Sequence, residues 1–339
     1  MPAVAIAEAI REIRPDARFL FVGTDRGMEE RIAAQHGLEF VPIHAAGIKG
    51  KSLGNIWKAM RTNIVALVKA LKIVWDFYPT WVIGTGGYVT GIVVLAGWLI
   101  GCECAIQEQN SVPGLTNRLL SRLVTRIFLA FPDSAGKFPR ATSMITGNPL
   151  RRELVPHSRQ YTGDGYLLVL GGSLGASSIN QAAVEALKIL KKEGMQANVI
   201  HQCGSADYRW VEEEYQKAGI EAWVHDFIDD MAPVYRGARL ALSRAGGITL
   251  SELSALGVPA VIVPFPHAAD DHQTANARYV VEKGGGWMIP DRMLNGERLA
   301  QELKTRLPDR EGLKKAAENM QRIGLGAGAE VIAREILRV

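Results

Sequence analysis

Six short apolar runs most constrain what this chain can fold into. They read FLFVG (19–23), WVIGTGG (81–87), YLLVLGGS (166–173), ANVIHQCG (197–204), ARLALSRAGG (238–247) and PAVIVPFP (259–266). Each closes in or beside glycine or proline, as strands do at their turns. Between them lie stretches of helical periodicity, such as INQAAVEALKILKKE (179–193). Strand and helix in alternation predict an α/β fold, with parallel sheets covered by helices on both faces. The chain has 339 residues, more than one such domain holds. The polar stretch 151–165, with Pro156, Gly163 and Gly165, is the expected link between two doubly wound Rossmann-like domains. These cover 1–150 and 151–323 and are expected to face each other across a cleft, with ligands at the carboxyl ends of the strands.

Composition narrows the class without naming it. The formal net charge is +4, which permits an anionic partner without requiring one. Cys102, Cys104 and Cys203 form no CxxC pair and no His/Cys cluster, so they read as buried free thiols of a reducing compartment. The opening PAVAIAEAIREI is an amphipathic helix, not a charged leader followed by an apolar core. The longest apolar stretch, 88–102, is shorter than the roughly 20 residues of a spanning helix and carries Gly91, Gly97 and Gly101. It predicts a buried helix running into a strand, in a chain that belongs in the cytoplasm.

Four loop clusters carry polar chemistry at strand ends. Gly171 to Ala176 is glycine-rich and opens a helix, so backbone N–H groups and the Ser173 hydroxyl can approach a phosphate; a plain tight turn is the other reading. Ser243 to Glu252 repeats that plan. Gly247, Ile248, Thr249 and Leu250 supply N–H donors for a diphosphate, and Glu252 sits where a carboxylate can accept from ribose hydroxyls or merely favour the helix dipole. Pro264 to Asn276 ends a strand on prolines and then groups His267, Asp270, Asp271, His272, Gln273 and Asn276. It suits sugar hydroxyls, with helix capping by Asp270 or Asp271, or a metal on His267, Asp271 and His272, as alternatives. In the first half, Gly84 to Tyr88 and Gln107 to Gly114 follow strands and place amides and a carboxylate at one rim.

A fifth feature lies on the surface. From 48 to 75 stand Lys49, Lys51, Lys58, Arg61, Lys69 and Lys72 with no acidic residue, interleaved with Ile56, Trp57, Ile64, Leu67, Val68, Leu71 and Trp75. A basic, apolar helix of this kind suits an anionic bilayer surface, at ~1 kcal/mol per cation. The same pattern also fits a core-packing helix with solvated charges.

Taken together, GTGGYVTG, EQNSVPGLTNR, GNPLR, GGSLGAS, FIDDMA, AGGITLSE and PFPHAADDHQTANA resemble one family in order and content, from about residue 2 to the end. It is glycosyltransferase family 28, the N-acetylglucosaminyltransferases of peptidoglycan assembly. The resemblance implies the GT-B fold, with a last helix, 324–339, returning to the first domain. It implies inverting transfer from UDP-N-acetylglucosamine to undecaprenyl-pyrophosphoryl-muramyl-pentapeptide, at the cytoplasmic side of the cell membrane as a peripheral protein. No cofactor, metal or nucleic acid is implied. Asn110 and Arg151 acquire donor contacts, Ser173 the diphosphate, Ile228 the uracil through its backbone, Gly247 through Ser251 the diphosphate loop, Glu252 the ribose and Gln273 the sugar. Two departures stand out. Gln107 replaces the family's histidine before EQN. The family's opening strand, its GGTGGH loop and that loop's histidine, a leading candidate for the base, precede the position of Met1. The expectation is a start codon chosen too late, which leaves the catalytic base unassigned. A sheet with unpaired ladder groups and reduced stability is expected. A UDP-sugar-binding protein without activity and a transferase acting on diacylglycerol are the alternatives, with an epimerase third.

Overall fold

The computed structural model describes residues 1–25, 29–47, 53–139, 142–155, 161–171 and 176–339. The chain divides into two compact units, Met1–Arg152 with Ala327–Val339, and Glu153–Gly326.

Unit 1 begins α1 (Pro2–Ile13), β1 (Leu20–Gly23), α2 (Glu29–Gln35), β2 (Glu39–Pro42) and α3 (Leu53–Phe77). It continues β3 (Trp81–Gly84), α4 (Tyr88–Ile100), β4 (Glu103–Glu108), α5 (Leu115–Leu120), β5 (Arg126–Leu129) and β6 (Ser143–Ile145). Pro2 opens α1 in the first turn, where a missing N–H costs nothing. The apolar stretch resolves as α4, stopped by the left-handed Gly101, and then β4. In β4, Cys104 and Ile106 pack under α4 and α5, while Ala105 faces Ile6 and Ile10 of α1. That alternation, apolar on both faces, is what a parallel strand covered on two sides requires.

The sheet of this unit is parted. β3, β4, β5 and β6 pair in that order, and β1 pairs with β2, all parallel. Among the described residues no ladder joins β1 to β3. Between their facing edges lies a cavity of about 1050 Å³, lined by Ile6, Ile10, Phe21, Val82 and Val94 among others. The expected unpaired ladder edges are therefore present, and they face a slot.

Unit 2 runs β7 (Tyr166–Leu170), α6 (Ser177–Lys192), β8 (Val199–Gln202), α7 (Tyr208–Lys217), β9 (Ala222–His225) and α8 (Met231–Gly237). It goes on through β10 (Ala238–Ser243), α9 (Gly247–Ala255), β11 (Ala260–Ile262), α10 (His272–Glu282), β12 (Gly286–Met288), α11 (Gly296–Arg306) and α12 (Arg310–Ile323). The strand order is β9-β8-β7-β10-β11-β12, all parallel. The order reverses between β7 and β10, the switch point at which open α/β sheets bind ligands. Leu167, Val169, Leu240, Leu242, Val261 and Val263 form one core with α6 and α11. Each such side chain stabilises by about 1.5–3 kcal/mol relative to exposure. The last helix, α13 (Gly328–Leu337), packs Ile332, Ala333 and Ile336 with Ile6 and Ile10 of α1, within unit 1.

Candidate functional site

At the carboxyl rim of the unit 1 sheet three motifs are tied together. Gly86 and Gly87 hold φ of +103° and +89°, which residues with a Cβ avoid. Gln109 Nε2 donates to the Thr85 carbonyl at 2.6 Å. Gln107 Nε2 donates to Asn148 Oδ1 at 2.7 Å, and Asn148 Nδ2 donates to the Gln109 carbonyl at 3.2 Å. Glu108 is buried and accepts the Asn110 N–H at 3.0 Å, the Gly114 N–H at 3.0 Å and Asn117 Nδ2 at 2.8 Å. Charge-assisted bonds to two backbone donors fix the shape of the loop that carries Asn110. Gln107 Oε1 is buried without a partner among the described residues. Arg151 is half-buried just before the 3₁₀ turn Arg152–Leu154.

The carboxyl rim of unit 2 gathers the nucleotide-type residues. Gly246 precedes α9 and offers no side-chain cap. Ile248 and Thr249 are half-buried on that turn. Leu250 and Ser251 are fully buried, and Ser251 Oγ donates to the Gly247 carbonyl at 2.8 Å. Those two side chains face the core, and the Leu250 N–H donates to the Gly246 carbonyl at 3.0 Å, so neither side chain meets a ligand. Glu252 Oε2 accepts from the Tyr235 hydroxyl of α8 at 2.8 Å. The Ile228 N–H donates to Gln202 Oε1, at the end of β8, at 3.1 Å. Gln273 Oε1 accepts the N–H of Ala245 at 3.1 Å and of Phe265 at 2.9 Å, locking two strand-end loops to α10. Its Nε2 has no partner among the described residues. Ser173 lies outside the described residues.

The remaining polar candidates resolve differently. Asp271 caps no backbone group; its Oδ1 accepts from the Thr274 hydroxyl at 2.6 Å. His272 Nδ1 lies 2.8 Å from the Ala269 carbonyl. Among the described residues no group of three or more His, Cys, Asp or Glu gathers as a metal site would. The three thiols are free. Burial pushes Cys104 up to about 12 and Cys203 up to about 11, so both stay protonated and are poor nucleophiles at neutral pH.

Family models match both units. The one described as the glycosyltransferase family 28 N-terminal domain covers residues 1–129, and the C-terminal domain covers 166–333. The chain belongs to glycosyltransferase family 28. A relative from Desulfotalea psychrophila, named UDP-N-acetylglucosamine--N-acetylmuramyl-(pentapeptide) pyrophosphoryl-undecaprenol N-acetylglucosamine transferase, is 40% identical over 98% of this chain and 91% of its own. One of the same name from Myxococcus xanthus is 37% identical over 98% and 88%. The crystal structure of Acinetobacter baumannii MurG superposes with a TM-score of 0.80 at 30% identity, over all of this chain and 95% of that one. The UDP-GlcNAc 2-epimerase of Neisseria meningitidis matches at 0.67 and 13% identity, over all of this chain and 96% of that one, a likeness of fold alone.

Two residues that hold the site were not among the motif positions, Gln202 and Tyr235. Gln202 stood at a strand end, an amide two residues before Gly204, which is the signal that could have found it. Tyr235 carried none, because its partner Glu252 is on another helix and only the fold brings them together.

Proposed function

We propose that this chain transfers N-acetylglucosamine from UDP-N-acetylglucosamine to the undecaprenyl-pyrophosphoryl-muramyl-pentapeptide acceptor, inverting the anomeric carbon. The observation that carries the reading is the 40% identity, across 98% of the chain, to a relative named for that transfer. The geometry of unit 2 supports the donor assignment. The Ile228 backbone, set by Gln202, meets the uracil, and Glu252, oriented by Tyr235, accepts from the ribose. The first turn of α9 takes the diphosphate through the N–H groups of Ile248 and Thr249, with Ser173, while the Leu250 N–H already donates to the Gly246 carbonyl. Gln273 keeps a free amide nitrogen for a sugar hydroxyl. Asn110 and Arg151 are assigned to the donor by the family resemblance.

In the reaction the acceptor hydroxyl oxygen bonds to the anomeric carbon as the bond from that carbon to the diphosphate oxygen breaks. UDP leaves with the electron pair. A helix N-terminus stabilises the developing negative charge by about 0.3–2 kcal/mol. The hydroxyl proton passes to a general base. Incubating the chain with radiolabelled UDP-N-acetylglucosamine and either the muramyl lipid or diacylglycerol tests the proposal. Label is expected in the muramyl lipid alone. Label in diacylglycerol favours the other acceptor class, and nucleotide binding without any transfer favours a binding protein.

The same reading makes the chain a peripheral protein of the cytoplasmic membrane face, and α3 supports it. Trp57, Ile64, Val68 and Trp75 are 69%, 60%, 63% and 69% exposed. Their spacing puts them within about 20° of one line along the helix. Arg61 and Lys72 are exposed beside that stripe, while Ala66, Ala70 and Val74 on the other side pack with Val89 and Ala96 of α4. The two faces expected of this segment therefore coexist. Lys49 and Lys51 lie outside the described residues. No described helix is long and apolar enough to cross a membrane.

A further inference from the structure

One side chain at the switch point of unit 2 has a place that neither the motif reading nor the donor assignment uses. Arg244 is the first residue beyond β10, with 16% of its side chain exposed. Its Nη1 donates to Asp291 Oδ1 at 2.6 Å, and Nη2 donates to Ser178 Oγ at 2.8 Å. Ser178 Oγ in turn donates to the same Asp291 oxygen at 2.8 Å, which closes a ring of three bonds. Nη1 also reaches the carbonyls of Val263 at 3.3 Å and Pro264 at 3.4 Å, and the guanidinium lies over the Phe265 ring, 5.4 Å from its centroid.

These partners belong to different elements. Ser178 is in the first turn of α6, which follows β7. Val263 and Pro264 follow β11, and Asp291 follows β12. The sheet order reverses between β7 and β10, so Arg244 spans the switch point and fastens the start of α6 to the rim from which α9 starts. Two helix N-termini act on one anion only if their N–H groups converge, and a misplacement of about 1 Å costs much of that gain. A planar, permanently charged fork with several fixed donors suits this task, and lysine does not.

We propose that Arg244, with Ser178 and Asp291, is a positioning device that sets α6 against α9 so that both helix starts address the diphosphate. It rests on the donor reading above. Loosening the ring displaces the start of α6, whereas uridine's assigned contacts lie at Ile228, held by Gln202, and at Glu252 on α9, held by Tyr235.

Asp291 gives the sharpest test, because it is an anion near the anion to be bound. If Arg244 served as a phosphate ligand in its own right, neutralising Asp291 would free its charge and tighten diphosphate binding. A positioning device predicts the opposite sign. Titration calorimetry of UDP and of uridine against the unaltered chain, Asp291→Asn and Ser178→Ala is the experiment. In both variants UDP is expected to weaken on the order of tenfold, the loss of a charge-assisted bond, with uridine affinity within about twofold. Unchanged or tighter UDP binding in Asp291→Asn overturns the proposal, and so does an equal loss of UDP and uridine in Ser178→Ala, the milder change. An unaltered chain that binds neither UDP nor uridine instead overturns the donor reading and takes this inference with it.

Discussion

At the scale of single residues, His201 shows how a buried polar group is tolerated and when it is not. It is fully buried in β8, with Nε2 at 3.0 Å from Asn180 Oδ1 and Nδ1 at 2.9 Å from the Tyr215 hydroxyl. Asn180 Nδ2 donates to the Cys203 carbonyl and to Asp207, so its oxygen is the acceptor and the histidine proton sits on Nε2. Burial holds the imidazole neutral and its pKa down to about 3, with Asp207 opposing weakly. The unfolded chain binds that proton near the ordinary 6.5, so stability is lost as pH falls from about 6.5 toward 3, at up to about 1.4 kcal/mol per pH unit. Melting midpoints from pH 7.5 to 4 are expected to fall, and to fall less steeply in His201→Gln. Parallel slopes in the two proteins would rule this out. That polar residues stand at the sheet rim was legible in the sequence, as with Glu252 and Gln273. Their contacts were not legible where the partner came from elsewhere: Gln273 is a lock between Ala245 and Phe265, and Leu250 and Ser251 turn inward.

At the scale of elements, the six apolar runs all became strands, because short apolar runs ending in glycine or proline have few other uses. β2, β5, β6, β9 and β12 escaped notice. They have three or four residues, and several are only partly buried, so no period marks them. Periodicity was equally silent on whether the apolar face of α3 is covered. The exposed stripe carries an expectation: the chain co-sediments with vesicles rich in phosphatidylglycerol, more weakly with phosphatidylcholine alone. Trp57→Ser with Trp75→Ser lowers the bound fraction severalfold, and equal binding by that variant would remove α3 from the account. The slot between β1 and β3 carries another. Unit 2 orders its strands β9-β8-β7-β10-β11-β12, and unit 1 has β2-β1 and then β3-β4-β5-β6, so the slot falls where unit 2 has β7. An extended apolar segment of about five residues fused ahead of Met1 is expected to pair with both edges and raise the melting midpoint by more than about 3 °C over a Gly/Ser extension. Equal midpoints would show that the slot does not accept a strand.

At the scale of the whole molecule, two parallel α/β units follow from length and alternation alone. The division of the chain adds what no local pattern states, that the last helix joins the first unit through α1. The residues proposed for the donor stand mainly in unit 2, while the exposed apolar helix belongs to unit 1. That separation suits an enzyme with a soluble donor and a lipid-bound acceptor. The central claim is inverting transfer, and the configuration of the product tests it most directly. The muramyl lipid recovered after reaction with UDP-N-acetylglucosamine, whose sugar is α-linked, should carry one new β-linked N-acetylglucosamine by proton NMR, with one UDP released per sugar transferred. An α-linked product, or UDP released with free sugar and unaltered lipid, would contradict it.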